Sequence, residues 1–229
     1  YENQIYSMPV FKTHGLYLGL ASLIHEGDRN EKNFDCVDCE LTWSADGKKF
    51  DFAAMDQAVI PRGDGHYPDG EFDNSCIYAS SPVTDGQKVW IYYMGGNGQH
   101  SDFRESSLGR ASFEQDKLAF YTAMDREKRG LLTTAAFRFF GEDLEVLAEM
   151  GEQGYLEAAL CTKWNRPIEG FGYAECEILP GEGGYYKIHF KNRNIQDWGQ
   201  RPVLISLRFQ DCRIYAFRGA LELQSPKYG

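Results

Sequence analysis

Apolar residues recur in short runs along the chain, and turn residues separate the runs. Residues 5–11 and 16–24 are rich in aromatic and β-branched side chains, and residues 12–15 divide them, a pattern that predicts a β-hairpin. Residues 36–44 alternate between apolar and polar side chains, which predicts a strand with one buried face. That face carries Val37, Cys39, Leu41 and Trp43. A turn and a short strand over residues 45–52 close a second hairpin.

The stretch from residue 70 to residue 100 predicts one unit of a repeated fold. An acidic loop leads into a strand at residues 76–80, a turn follows, and an aromatic strand at residues 89–94 ends at two glycines. Residues 106–114 and 118–122 predict a further hairpin. Residues 1–122 thus contain two similar units of about four strands each, and repeats of roughly 40–60 residues are typical of propeller blades.

A charged break over residues 123–130 marks the predicted domain boundary, so we assign residues 1–125 to propeller blades and residues 126–229 to a second domain. Beyond the break, roughly seven or eight short apolar runs follow one another with turns every 8–12 residues or so, which is typical of a β-sandwich. Residues 144–150 also fit one or two helical turns, but the flanking turns favour a strand. The predicted fold class is all-β, with about two blades of a partial β-propeller followed by a β-sandwich.

The composition supports a packed fold and narrows the classes of ligand. Of the 229 residues, 42% are hydrophobic and 14% aromatic, which suits a packed core and argues against disorder. The formal net charge is −10, whereas nucleic acids and anionic membranes bind basic patches, so we expect neither as a partner. An acidic protein rich in Tyr and Trp suits neutral or cationic ligands, and sugars are one such class.

The start of the chain and its cysteines bear on where the protein works. The sequence has no apolar run near the roughly 20 residues of a transmembrane helix, so we expect no membrane partner. The first residue is Tyr and no signal peptide is visible, so we expect a mature or truncated chain with part of the fold upstream. The six cysteines permit full pairing in disulfides, and buried free thiols are the alternative. A secreted, extracellular protein is expected.

Several short motifs resemble those of a known superfamily. They are L-T-W-S-A-D-G at residues 41–47, G-E-F-D at residues 70–73, and I-Y-Y-M-G-G at residues 91–96 followed by His100. This part of the chain resembles the closing blades of the five-bladed β-propeller glycosidases, the levanase/invertase and arabinanase/xylosidase-like superfamily. More closely, it resembles the glycosyl hydrolase family 32 N-terminal-like proteins. Residues 130–134, 139–141 and 214–217 resemble the β-sandwich that follows the propeller in such proteins.

The resemblance implies a glycoside-hydrolase-like protein that binds or hydrolyses glycans, with part of the site on blade loops of this chain. The W-x-N-D-P-N-G and R-D-P signatures of those glycosidases are absent from the sequence, so no catalytic residue carries over. The chain therefore resembles the C-terminal half of such a protein, and an upstream fragment or a partner chain would complete the propeller. The alternative is a non-catalytic binding or structural protein whose sandwich docks a propeller or a partner chain.

Glycoside hydrolysis needs two carboxyl groups, about 5–5.5 Å apart for retention or about 6.5–9.5 Å for inversion. Asp73 precedes an inner strand and can face the propeller centre, so we predict it as the catalytic residue, with a turn cap as the alternative. Glu71 shares its face if the segment is extended. With Glu71, the predicted substrate-binding residues are His100, after the glycine pair, and His66 and Tyr67 in the preceding loop. For the histidines, a solvated loop position is the alternative.

Other polar residues receive the simpler interpretation. Asp35, Asp38 and Glu40 flank a strand, and we expect them to be solvated. Cys36 and Cys39 have the spacing of a zinc ribbon, but the sequence has no second pair of this kind, so we predict no metal site of that type. The acidic, glycine-rich loop at residues 63–70 leaves Ca²⁺ open as a ligand, and no other cofactor is predicted.

Overall fold

A computed structural model describes residues 3–86 and 88–224, and its secondary structure is all-β, as the sequence predicts. The chain divides into two compact units, residues 1–115 and 116–229. The division falls between Gln115 and Asp116 and not between residues 125 and 126. Residues 116–125 go with the second unit, where Tyr121 forms an antiparallel bridge with Ile214. Nowhere in this described part is a helix long and apolar enough to cross a membrane.

Strands β1 to β10 lie in the first unit. They are β1 (Asn3–Ser7), β2 (Val10–Thr13), β3 (Leu16–His25), β4 (Val37–Ser44), β5 (Asp51–Phe52), β6 (Ala58–Ile60), β7 (Cys76–Ala79), β8 (Val83–Thr84), β9 (Lys88–Gly96) and β10 (Ser106–Glu114). The second unit contains β11 (Gly130–Cys161), β12 (Cys176–Pro180), β13 (Tyr185–Phe190) and β14 (Val203–Leu223), with 3-10 turns at Tyr173–Glu175 and Ile195–Trp198.

The first unit forms one open, mixed sheet. Its strand order is β1-β3-β4-β7-β9-β10, with β2 beside β3, β5 and β6 beside β4, and β8 beside β9. The β4–β7 contact is parallel and consists of the single pair Val37–Cys76. The predicted hairpin between residues 106–114 and 118–122 is wrong, because β10 pairs with β9 instead. The residues that the structure describes contain two open sheets and no propeller.

The predicted first hairpin is present, but the run at residues 5–11 is divided between β1 and β2, which both pair with β3. Its turn places His14 and Gly15 at φ 46° and 81°, in the left-handed region. This turn geometry matches the right-handed twist of the two strands, which is why a two-residue connection suffices. The hairpin leads directly into β3, the neighbour of β4 in the sheet.

The second unit forms one open antiparallel sheet in the order β12-β13-β11-β14. The predicted strands at residues 133–139, 144–149 and 154–162 fall in β11, except for residue 162, because β11 ends at Cys161. The glycine-rich segments between them become register shifts, after Phe139 and after Met150, instead of turns. Residues 204–209 of β14 pair with β11 on both sides, and the sheet packs its apolar residues into one core that includes Ile205 and Leu207.

Strand β4 is covered on both faces. On its apolar face, Val37, Cys39 and Leu41 are buried as predicted, whereas Trp43 is 38% exposed. On its polar face, Glu40 is only 2% exposed, and Thr42 and Ser44 are buried as well. A polar strand face out of bulk water needs partners or a cavity, since buried polar groups without hydrogen bonds are costly.

All six cysteines are free thiols, and five of them are buried, with Cys176 half-buried. Of the two alternatives that the sequence left open, the structure therefore has unpaired thiols and no disulfide in the part of the chain it describes. Burial raises the pKa of the Cys39 thiol to about 12 and that of Cys212 to about 11, so both stay protonated at neutral pH.

Candidate functional site

Three loops of the first unit meet at one end of its sheet. They join β3 to β4, β6 to β7 and β9 to β10, and the parallel β4–β7 pair places all three at the same end. Backbone hydrogen bonds tie them together: Val37 N donates to Ser75 O at 2.9 Å, and His100 N donates to Asp35 O at 2.7 Å. The loops and the polar face of β4 enclose a cavity of about 850 Å³.

Carboxyl groups are prominent in the lining of this cavity. They belong to Asp38, Glu40, Asp56, Asp64 and Asp102. Asp38 and Glu40 come from β4 itself and the others from loops or turns. Side chains two residues apart on a strand share a face, so Asp38 and Glu40 both point into the cavity.

The Asp38 carboxylate contacts two nitrogen-bearing side chains, His25 and Arg62. Its Oδ2 lies 2.6 Å from His25 Nε2, and its Oδ1 accepts a hydrogen bond from Arg62 Nε at 2.7 Å. The side chain of Asp38 is 17% exposed and that of Arg62 is 23% exposed. Burial alone would raise the pKa of Asp38, but the hydrogen bonds and charges of His25 and Arg62 outweigh it, so the pKa is lowered. Asp38 is therefore a carboxylate throughout the neutral range.

Glu40 has the opposite environment. Its neighbours across the sheet are Ala21 on β3 and Ala58 on β6, whose small side chains leave space beside the carboxyl group. Burial raises the pKa of Glu40, and the negative charges of Asp56 and Asp38 raise it further. A backbone hydrogen bond from Asp56 opposes the shift without cancelling it. The cavity thus holds a carboxyl group that retains its proton to higher pH than an ordinary glutamic acid.

The two carboxyl groups were expected to be solvated, and this expectation is wrong for both. Asp38 is half-buried and Glu40 is buried, because β3, β6 and β7 all pair with β4 around them. Asp35 is half-buried too, and its Oδ2 accepts a hydrogen bond from Ser101 N at 2.9 Å. The available signal was two acids at alternate positions opposite an apolar strand face, a pattern that places both on one side of a central strand.

Cys36 also lines the cavity, close to the same charges. Burial raises the pKa of its thiol, and the positive charge and hydrogen bond of Arg62 only partly offset this effect. The thiolate is the reactive form of cysteine, and a raised pKa keeps the group as a thiol. The arrangement therefore disfavours Cys36 as a nucleophile.

Two of the residues predicted to bind substrate lie at this cavity. His66 and Tyr67 both line it, and Tyr67 is 45% exposed. The Tyr67 ring contacts the ring of Phe103 edge-on, with centroids 5.8 Å apart. Phe103, which comes from the loop after β9, was not among the predicted residues. A lone aromatic residue in a loop gives little signal, because only the folded loops bring it to Tyr67.

Asp73 and Glu71 lie outside the set of residues that line the cavity. Asp73 is 7% exposed, and Tyr93 Oη donates a hydrogen bond to its Oδ2 at 2.7 Å. Burial and this carboxylate raise the pKa of Tyr93 to about 12. Glu71 Oε2 accepts from Asp64 N at 2.7 Å. Both carboxylates lie against Gly63, where any side chain would overlap them, so they close the loop before β7.

His100 lies in an aromatic contact next to the cavity and not in its lining. Its Nδ1 is 2.5 Å from Tyr78 Oη, and its ring centroid is 4.8 Å from that of Tyr6. Its carbonyl oxygen accepts a hydrogen bond from Arg104. In this position His100 anchors the loop after β9 to the body of the sheet.

No cluster of three or more His, Cys, Asp or Glu side chains in the described residues has the arrangement of a metal site. In the loop considered for Ca²⁺, the backbone N and O of Asp64 both bond to Glu71. No protein-family model matches the chain, and no significant match was found among curated proteins or solved structures. Function must therefore be inferred from the chemistry of the cavity itself.

Proposed function

We propose that this is a carbohydrate-active protein that hydrolyses glycosidic bonds in the cavity of its first unit. The observation that carries the proposal is the pair Glu40 and Asp38, two carboxyl groups on one strand face whose pKa values are shifted in opposite directions. Glycosidases need this division, because one carboxyl group must donate a proton while the other stays ionised. The resemblance of the chain to propeller glycosidases points to the same chemistry.

The proposed reaction assigns one role to each group. Glu40 donates its proton to the glycosidic oxygen as the bond from that oxygen to the anomeric carbon breaks. A water molecule attacks the anomeric carbon and passes its proton to the Asp38 carboxylate. His25 and Arg62 use one lone pair on each Asp38 oxygen, and each oxygen retains a second lone pair for water.

The spacing supports a shared substrate. Residues two apart on a strand have Cα atoms roughly 6.6 Å apart. Side chains that start this far apart on one strand face can bring their carboxyl groups to the separations of glycosidases, about 5–9.5 Å over the two mechanisms. The cavity volume of about 850 Å³ also falls in the range of known ligand sites.

The same proposal covers the architecture. In the ten-stranded sheet, one antiparallel set contains β3 and β4 and another contains β7, β9 and β10, with a single parallel residue pair between them. The described residues contain no propeller, so this part of the proposal is that the two sets are about two blades of a propeller that an upstream fragment or a partner chain completes. The double pairing of β14 with β11 supports a β-sandwich in the second unit. An extracellular location belongs to the proposal as well.

A non-catalytic glycan-binding protein is the second candidate. It is favoured by the fact that both oxygens of Asp38 already have partners, as in a structural ion pair. Such a protein would bind glycans in the cavity without cleaving them. The two candidates differ in whether Glu40 is needed for turnover or only shapes the cavity.

The test is a hydrolysis screen of the full chain on chromogenic α- and β-glycosides and on an oligosaccharide library. Glu40→Gln is expected to lower kcat at least about 100-fold, the usual contribution of a general acid. In the wild type, kcat should fall as the pH rises through the pKa of Glu40, because the acid is lost on ionisation. Asp51→Asn is the matched control, since Asp51 is an exposed carboxylate that is not among the lining residues.

Unchanged hydrolysis by Glu40→Gln would overturn the assignment of the acid. If Asp73→Asn abolished turnover while the variant stayed folded and Glu40→Gln stayed active, the acid pair would have to be sought around Asp73. Glycan binding by the wild type with no hydrolysis of any library member would favour the second candidate.

A further inference from the structure

Two aromatic rings meet at the mouth of the cavity without being packed into the core. Tyr67 is 45% exposed and Phe103 is 68% exposed, yet both line the cavity. The rings come from two different loops and contact each other edge to face, with an interplanar angle of 73°. Because these two rings stay exposed, they do not contribute the stabilisation that a buried aromatic side chain gives the core. An exposed aromatic pair that lines a cavity therefore indicates a contact surface for a ligand.

The loop that carries Phe103 is held in place by its own hydrogen bonds. Asp102 Oδ1 accepts from Phe103 N at 2.7 Å, and Arg104 donates to the carbonyl oxygens of Gln99 and His100. At the base of the loop, Asn97 Oδ1 accepts from Glu105 N at 2.8 Å. The Phe103 ring is thus presented by a pre-ordered loop, which reduces the entropy lost when a ligand binds.

The loop that carries Tyr67 is closed in a similar way. Gly70 N donates to His66 O at 2.8 Å, and Glu71 N donates to Asp64 O at 2.9 Å. These bonds bracket Tyr67 on a short loop that sits over the cavity. Because each loop is closed by local hydrogen bonds, the two rings are held in a fixed position relative to each other.

The surroundings of the rings define the chemistry of the ligand. Asp102 and Asp64 line the cavity in the same two loops and offer carboxylate oxygens beside the aromatic surface. A ligand that fits has an apolar face of C–H groups for the rings and an edge of hydroxyl groups for the carboxylates. A sugar ring has both features, whereas these two carboxylates disfavour a phosphate or another anion beside the rings.

We propose that Tyr67 and Phe103 form a stacking platform, in which the more exposed Phe103 offers its ring face to a second sugar ring and Tyr67 borders it, so that the ligand is a neutral oligosaccharide and not a single sugar. The sugar ring beside Glu40 occupies the cavity, and the next sugar ring of the oligosaccharide lies on the platform. This inference rests on the proposed function for the position of the first ring. It adds that the affinity of the protein for an oligosaccharide depends on the length of the oligosaccharide through these two aromatic residues.

The experiment measures binding separately from hydrolysis. In the full chain that carries Glu40→Gln, calorimetry compares the best-binding neutral oligosaccharide of an array with the methyl glycoside of its terminal sugar. Adding Phe103→Ala should weaken oligosaccharide binding about tenfold, the equivalent of one lost ring-stacking contact, and leave the methyl glycoside unaffected. Phe103→Trp keeps an aromatic face and should retain binding. Leu108→Ala is the control, since Leu108 is 76% exposed and is not among the lining residues.

The outcomes separate this inference from the proposed function. Equal oligosaccharide affinity with and without Phe103 would overturn the platform, even if the wild type hydrolyses glycans. A platform-dependent affinity without hydrolysis by the wild type would support the platform and overturn the proposed reaction. Absence of binding to every oligosaccharide on the array would overturn both.

Discussion

Replacing Asp38 by Asn removes a charge that connects β4 to the end of β3 and to the loop after β6. Asp38 contacts His25 Nε2 at 2.6 Å and Arg62 Nε at 2.7 Å, and the asparagine oxygen can keep only one of these bonds as a neutral acceptor. Its amide nitrogen would face a second donor. The variant therefore leaves Arg62, with a side chain that is 23% exposed, without its counter-charge.

The magnitude follows from this geometry. Each hydrogen bond to a charged group contributes about 1.5–3 kcal/mol, and breaking one partner of a well-buried pair costs about 3–5 kcal/mol. Because the Asp38 side chain is 17% exposed and the asparagine retains one bond, we expect a loss at the lower end. The expected decrease in the free energy of unfolding of the first unit is about 2–3 kcal/mol at pH 7.

The pH dependence has a definite sign. The pKa of Asp38 is lower in the folded chain than its ordinary value of 3.8, so its contribution to stability is present above that value. It is lost as the pH falls through the folded-state pKa. The difference between wild type and Asp38→Asn should thus stay constant from pH 7 to about 4.5 and shrink at lower pH.

Hydrogen exchange read by mass spectrometry on peptides from β3 and β4 is the appropriate assay, because a global unfolding curve would mix the two units. Asp51→Asn is the control: the Lys49–Asp51 pair is 3.9 Å apart with side chains 80% and 54% exposed, so the loss should stay within about 0.5 kcal/mol. Equal protection in the two variants would refute the view that Asp38 holds this end of the sheet together.

Two further predictions concern groups that the fold shields from water. Glu40→Gln should stabilise the first unit by on the order of 1 kcal/mol at pH 7. The raised pKa of Glu40 contributes stability below the unfolded value of 4.5, and this contribution is lost as the pH rises, whereas glutamine carries no charge at any pH. Hydrogen exchange that is unchanged or faster at pH 7 would contradict this. For the cysteines, a thiol reagent at pH 8 should leave the five buried thiols of the native chain unreacted and titrate six thiols after denaturation without reductant. Fewer than six would indicate a disulfide.

The sequence predicted much of the local structure of the first unit. The runs at residues 16–24, 36–44 and 106–114 correspond to β3, β4 and β10, because β-branched and aromatic residues bounded by turn residues favour strands almost wherever they pack. Pairing was harder to predict. Strand β10 pairs with β9 and not with residues 118–122, since neighbours in a sheet are chosen by long-range packing that a local pattern does not contain.

The candidate site shows the same limit more sharply. His66 and Tyr67 could be chosen from their loop, whereas Asp38 and Glu40 looked like ordinary solvated acids. Whether a polar strand face meets water or a cavity depends on which elements cover it. Here the end of β3 brings His25 and the β6–β7 loop brings Arg62 to Asp38, and these two contacts, not the identity of residue 38, lower its pKa.

The sequence by itself determined the all-β class, the strand that carries the acid pair and the fact that both acids share one face, because side-chain alternation along a strand is a local property. Only the tertiary structure decided that this face is buried, that Asp38 and Glu40 differ in proton affinity, and that Phe103 meets Tyr67. These properties arise from burial and from charges that lie far apart in sequence. Desolvation and Coulomb interactions act through space, and only folding sets those distances.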